Sequence, residues 1–409
     1  MAAADRKIVR DLAKRIADLA DSPEMHEKRA TWKKHNSLER VRPMILVFPE
    51  GSWREIGPLV QSECKCEGDA ARGLENRFRS RLYEYEHHHD DKPIDKTWNV
   101  GKVWHSTDWG LQAQWKPSDD PTGARAFDPV IHEPADLKKL KVPEISLDDE
   151  ETSRRLADAQ ELFGDILDVR LRGLGAVSFH LMNQYTALRG LEEVMMDMVI
   201  NPGMLHDAMA FFEEAHKSIV RQYIDLDMLS LNNDGTYHSS GGLGYTDELP
   251  ADGFDPERVR PCDIWASAEA QELAQVSPEM HEEFSLQYER RLLEPFGLNG
   301  YGCCEDLTKK LDDVLTIPNI RRISIAPWAD VSACAEKLGS KAIFSWKPHP
   351  SHMCGRFDPD MIRRYIRHTL DVTKDCVVEM ILKDTHTCDN HPERFTIWTD
   401  IAQELAAEY

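Results

Sequence analysis

Nowhere in the 409 residues is there a run approaching the roughly 18–20 apolar side chains that span a bilayer, so a membrane protein is not expected. The first segment, "MAAADRKIVRDLAKRIADLADS", lacks an apolar stretch followed by a cleavage site, which argues against a signal peptide and for a cytoplasmic location. Cationic residues are also scarce. Lys plus Arg number 50 against 72 Asp plus Glu, and a formal charge of −22 disfavours a nucleic-acid partner. Cysteines are few, scattered and odd in number, nine in all, so a disulfide framework is a poor fit. They read as buried thiols, metal ligands or nucleophiles. Low-complexity segments and exact repeats are absent too.

What is present is the composition of a soluble enzyme, 41% hydrophobic and 30% charged. Residues 1 to about 40 are charged and helical in pattern, and "MILVFPE", from Met44 to Glu50, is the first strand. Residues 57–150 are rich in turn formers and charge, as in "ECKCEG", "EYEHHHDDKP" and "KPSDDPTGARAFDPV", and read as a mostly looped cap. From about residue 150 onward, short apolar strands alternate with amphipathic helices. "IRRISIAPW" precedes "ADVSACAEKLG", "KAIFSW" precedes a helix carrying Ile362, Ile366 and Leu370, and "CVVEMILK" follows. Repeated β-then-α units imply a parallel sheet buried on both faces. The expected fold is therefore α/β, a (β/α)8 TIM barrel, with residues 1–150 as an N-terminal extension carrying the first strand and cap, and 151–409 as the main body of what is one domain overall.

Barrel chemistry sits where strands end and loops begin. The strand-end residues are Glu50, Asn233, Asp234, His238, Cys303 to Asp306, Asp330, Lys347, His349 and Cys388. Asp234 and His238, in the polar loop "NNDGTYH", are the catalytic candidates. Glu50, Trp53, Asn233, Trp328, Lys347 and His349 are the candidates for holding substrate, with Trp53, Trp328 and Trp346 as the apolar wall. "HHHDD" (His87 to Asp91) and "ECKCEG" read as solvated loops, because consecutive histidines do not converge easily and Cys64 and Cys66 lack a matching downstream pair.

The runs "LRGLEEVMMDMVINPGMLHDAM", "DLDMLSLNNDGTYHSS" and "SPEMHEEFSLQYERRL" resemble the uroporphyrinogen decarboxylase superfamily over residues 165–409, itself a family of (α/β)8 barrels. "GCCEDLTKKLDD" places Cys304, and "TCDNHPERF" places Cys388, on the two cysteine motifs of its cobalamin-dependent methyltransferase branch. No arginine-rich N-terminal segment for porphyrin carboxylates is present, which disfavours porphyrin decarboxylation. The resemblance implies a zinc ion held by Cys304, Cys388 and a third ligand, Glu305 or His238, since Gly302 stands where the family has histidine. Adjacent Cys303 is expected to face the other way.

It also implies an activity. A methyl group would move between a small methylated substrate, O-methyl or N-methyl and methoxyaromatic compounds among them, and the cobalt of a corrinoid (methylcobalamin) carried by a partner protein. Asp234, His238 or zinc would assist the leaving group. A homodimer is compatible with this reading. Two alternatives stand beside it: a carboxy-lyase using an acidic residue and a cation such as Arg189, and a catalytically silent barrel subunit.

Overall fold

A computed structural model describes residues 1–116, 126–238 and 241–409. Seven parallel strands make the central sheet: β1 (Met44–Val47), β2 (Ser178–Phe179), β3 (Trp265–Ala268), β4 (Leu298–Tyr301), β5 (Ile320–Ile325), β6 (Ile343–Trp346) and β7 (Val377–Leu382). Their spatial order is β1-β7-β6-β5-β4-β3-β2, with every neighbouring pair parallel. The architecture is barrel-like, but the expected eight-stranded closure is not found among the described residues.

The free edge of β1 explains part of this difference. Asp91 N–H donates to Ile45 O, while the Asp91 and Asp90 carboxylates accept from Ile45 N–H (2.8 Å) and Val47 N–H (3.0 Å). Two aspartates thus satisfy the edge that an eighth strand would otherwise pair, and "HHHDD" is no solvated loop. His88 and both aspartates are buried. Beyond β2, the Asn232 side chain donates to Gly175 O and Trp265 O and accepts from Trp265 N–H, stitching the seam where ladder bonds are missing.

Side-chain alternation sorts each strand into two faces. Ile45, Val47, Ile323, Ile325, Phe344, Trp346, Val378, Met380 and Leu382 pack in the main core with the surrounding helices. The opposite residues, including Arg322, Ser324, Ser345 and Glu379, are polar yet buried. Trp346, expected in a pocket wall, is therefore core, against Tyr365.

Before β1, helices Ala3–Ala20 and Pro23–Asn36 form as the charged periodic pattern anticipates. The second starts on a Ser22 cap followed by proline. Its end inserts under the sheet, where Glu379 accepts from Arg322 Nε (2.8 Å) and lies 3.1 Å from His35 Nε2, and Asn36 Oδ1 accepts from Arg322 Nη2. The region expected as a looped cap holds helices Trp53–Ser62 and Asp69–His88 and strands Thr97–Gly101, Val103–Ser106 and Ile145–Asp148. Phe78, Leu82 and Trp98 there build a second small core with Val9, Ile16 and Phe163. "ECKCEG" is a loop, as expected, held by Glu75 accepting from Lys65 and Cys66 N–H. Residues 117–125 of "KPSDDPTGARAFDPV" lie outside the described residues. No helix among the described residues is long and apolar enough to cross a membrane.

Candidate active site

A cavity of about 220 Å³ opens at the C-terminal ends of β2, β3 and β4, lined by Ser178, His180, Tyr237, His238, Ser267, Glu269 and Cys303 among others. That is where parallel-strand folds place ligands. His180 follows β2 and Glu269 follows β3, so the ladder between those strands brings the two side chains together. His180 Nδ1 lies 2.6 Å from Glu269 Oε1, and the carboxylate's other oxygen accepts from Gln271 N–H. The imidazole is 45% exposed and the carboxylate 7%, so one end of the pair faces the cavity and the other is fixed. Burial pushes the His180 pKa down, but the Glu269 hydrogen bond and charge, with Cys303 and Glu272 adding to it, raise it above 6.5.

Around this pair the electrostatics are acidic. Burial, and then the charge of Glu269, push Glu305 up to about 7, and burial first also raises Glu272. On the β6 side, burial lowers fully enclosed Lys347 to about 7 while its ammonium donates to Ser345 O and Oγ. Tyr237 is raised well above 10 by burial, its ring against Phe48.

The cysteine pair sits at the turn after β4. Gly302 has φ +92°, a left-handed conformation that glycine adopts freely, and a Cβ there would lie 2.8 Å from Leu307 Cδ1 and 3.3 Å from Ser324 Cβ. A histidine here, which the sequence resemblance would call for, would need a left-handed backbone and displacement of Leu307. Cys303 lines the cavity and Cys304 lies beside it, the two sulfurs 3.5 Å apart, which corrects the expectation that they face opposite ways. Cys304 Sγ is 4.0 Å from Asp384 Oδ2.

The zinc set is not assembled. Cys388 Sγ donates to Glu55 Oε2 at 2.9 Å, and Glu55 also accepts from Cys388 and Asn390 N–H, so this cysteine belongs to a loop-holding knot. Glu305 is buried and its carboxylate accepts from Cys303 N–H (2.8 Å) and Ala270 N–H (3.2 Å), tying two strand-end loops together. Among the described residues, no group of three or more His, Cys, Asp or Glu side chains is arranged to hold a metal ion. The residues at the mouth do not fit the zinc site that the sequence resemblance implies.

The two catalytic candidates also change role. Asp234 pairs with Arg172 at 3.1 Å and accepts from Thr236 N–H across a tight turn, away from the cavity lining. His238 lines the cavity, but it is buried, stacked on Trp265, with Nε2 3.0 Å from Asn232 O, and burial lowers it to about 3. It is a neutral wall residue rather than a proton carrier.

The proposed substrate contacts are dispersed around the rim. Glu50 accepts from Asp384 N–H, Trp53 packs near Tyr83, and Asn233 donates to Leu249 O. Trp328 is 57% exposed, and His349 Nδ1 accepts from Ser351. None of these, nor Lys347, is among the cavity-lining residues. His180 and Glu269 were missed because β2 has two residues and β3 reads "WASA", too short or too small for a periodicity signal. The strand-end rule applied to "AVSFH" and "WASAE" would have found both.

The fold is similar to that of a solved methyltransferase from Methanosarcina mazei. The TM-score is 0.52 at 11% identity, over 92% of this chain and 98% of that one. That likeness establishes a shared fold. No family model matches the sequence, and no curated protein matches it either.

Proposed function

We propose that this chain is a cytoplasmic methyltransferase that moves a methyl group between a small O- or N-methylated compound and the cobalt of a corrinoid carried by a partner protein. The observation that carries this reading is the His180–Glu269 pair, 2.6 Å apart and facing a strand-end cavity. The fold shared with a methyltransferase, and the resemblance of the sequence to the cobalamin-dependent branch, support it.

Demethylating an ether or amine requires the heteroatom to leave with a proton. With Glu269 bonded to Nδ1, the Nε2–H of His180 is the proton available to a bound heteroatom, and against the cost of burial the Glu269 hydrogen bond and charge shift the ring towards its protonated form. In the reverse direction the neutral ring takes that proton back. The cavity, at about 220 Å³, exceeds the roughly 150 Å³ that encloses benzene, which suits a substrate of about one ring. When docked over the mouth, the corrinoid would supply the cobalt nucleophile or methyl donor. No step is routed through zinc.

The lyase alternative loses its named cation. Both Arg189 Nε and Nη2 donate to Asp197, and its remaining Nη1 donates to the carbonyls of Ile131 and His132. The test is spectroscopic: the purified chain, mixed with a reduced corrinoid protein and a panel of methoxylated and N-methylated compounds, should form methylcobalamin. His180→Asn should slow this by about 10²–10⁴-fold, the range for losing a general acid. No spectral change with any pairing would contradict the reading.

A further inference from the structure

We propose that Cys303 and Cys304 form a two-sulfur site for a singly substituted trivalent arsenic compound, R–As(OH)2, of which methylarsonous acid is the smallest. This goes beyond the methyl-transfer reading and does not rest on it. The sulfurs stand 3.5 Å apart, a separation that one trivalent atom bridges without moving the backbone far. The backbone leading into the pair is fixed. Cys303 N–H donates to buried Glu305, Cys303 O accepts from Ser324 Oγ at 2.8 Å, and Gly302 N–H donates to Ala268 O. Pre-organisation of this kind lowers the cost of binding.

Ligand count selects the ligand. Zinc takes three or four protein donors in a tetrahedral set, and among the described residues no group of three or more His, Cys, Asp or Glu side chains is arranged to hold one, Asp384 Oδ2 standing 4.0 Å from Cys304 Sγ alone. Pyramidal arsenic(III) carrying one organic group needs two sulfurs only, and soft sulfur donors suit a soft centre. The organic group has a place as well, because Cys303 lines the cavity of about 220 Å³ shared with His180, Tyr237 and Ser267. In the binding step two As–O bonds break and two As–S bonds form. The two thiol protons leave with the hydroxides as two waters, and no electrons are transferred.

The probe is phenylarsine oxide, which hydrates to R–As(OH)2, added to the full-length chain and followed by intact-mass spectrometry. One adduct per chain is expected, resistant to excess 2-mercaptoethanol and released by 2,3-dimercaptopropanol. Cysteine mapping by iodoacetamide should show Cys303 and Cys304 protected together. Cys303→Ser and Cys304→Ser should each weaken retention at least 100-fold, while Cys64→Ser, in the other closely spaced cysteine motif, should not. Protection of other cysteines, an adduct that a monothiol strips, or undiminished retention in Cys303→Ser would overturn the proposal. The mapping on the unaltered chain decides the matter even where a serine variant misfolds.

Discussion

Two histidine–glutamate pairs in this molecule look alike on paper and behave in opposite ways. His35 and Glu379 lie 3.1 Å apart beneath the sheet, both wholly enclosed, and His180 and Glu269 lie 2.6 Å apart at its mouth, with the imidazole 45% exposed. At the lower pair, burial and the neighbouring Arg322 hold His35 below 6.5, and although burial pushes Glu379 upward, Arg322 and His35 bring it well below the usual carboxylate range. There the charge partner of Glu379 is the guanidinium, and the imidazole is a neutral hydrogen-bond partner. At the mouth, against the cost of burial, Glu269 first and then Cys303 and Glu272 raise His180. Solvent access and the third charge set the direction in which each histidine shifts.

That contrast can be broken most forcefully from below. Glu379→Gln leaves Arg322 buried without its counter-charge, and removing one partner of such a pair costs about 3–5 kcal/mol, to be read as a lowered denaturant midpoint. Glu269→Gln is expected to leave the fold within about 1 kcal/mol, because the amide keeps a hydrogen bond to His180, while methyl transfer falls and its pH profile moves to lower pH. The cysteine ends of the mouth sharpen the picture on a smaller scale. Glu55→Ala frees the loop after β7 by removing bonds to Thr387, Cys388 and Asn390, for a loss of about 1.5–3 kcal/mol in a thermal or chemical melt. Cys388→Ala should shift neither metal content nor methyl-transfer rate, which would separate Cys388 from the zinc role its sequence motif suggested.

The signs with pH follow from the directions. His180 is raised, so its contribution to stability is fully present below about 6.5 and is lost as pH climbs through its higher folded value. His35 is lowered, so stability instead declines as pH falls below about 6.5, where the unfolded chain takes up a proton that the folded one refuses. Unfolding free energies of His35→Gln and His180→Asn measured from pH 5 to 9 should therefore remove dependences of opposite slope.

How far the sequence reaches is visible in the same residues. Strands such as "MILV", "IFSW" and "VVEMIL" are apolar enough to stand out, and four of the seven sheet strands lie in segments read as strands. Strand closure is a different matter. Asp90 and Asp91 sit in a histidine- and charge-rich run whose composition reads as solvated, yet they hold the edge of β1, a tertiary contact that local pattern does not encode. The cysteine motifs were legible as strand-end features, but their roles depended on φ at Gly302 and on Glu55, 333 residues from Cys388 in sequence. Methyl-transfer chemistry was inferred from motif likeness, whereas the acid–base pair came only from the adjacency of two strands too short to read.

A single titration addresses the central assignment. With histidine side chains labelled with nitrogen-15, both imidazoles can be followed by NMR between pH 4 and 9 and assigned with His35→Gln and His180→Asn. The account predicts that His180 titrates above 6.5 and falls in Glu269→Gln, while His35 stays neutral to well below 6.5. A His180 that titrates below 6.5, or that does not respond to loss of the Glu269 charge, would contradict it.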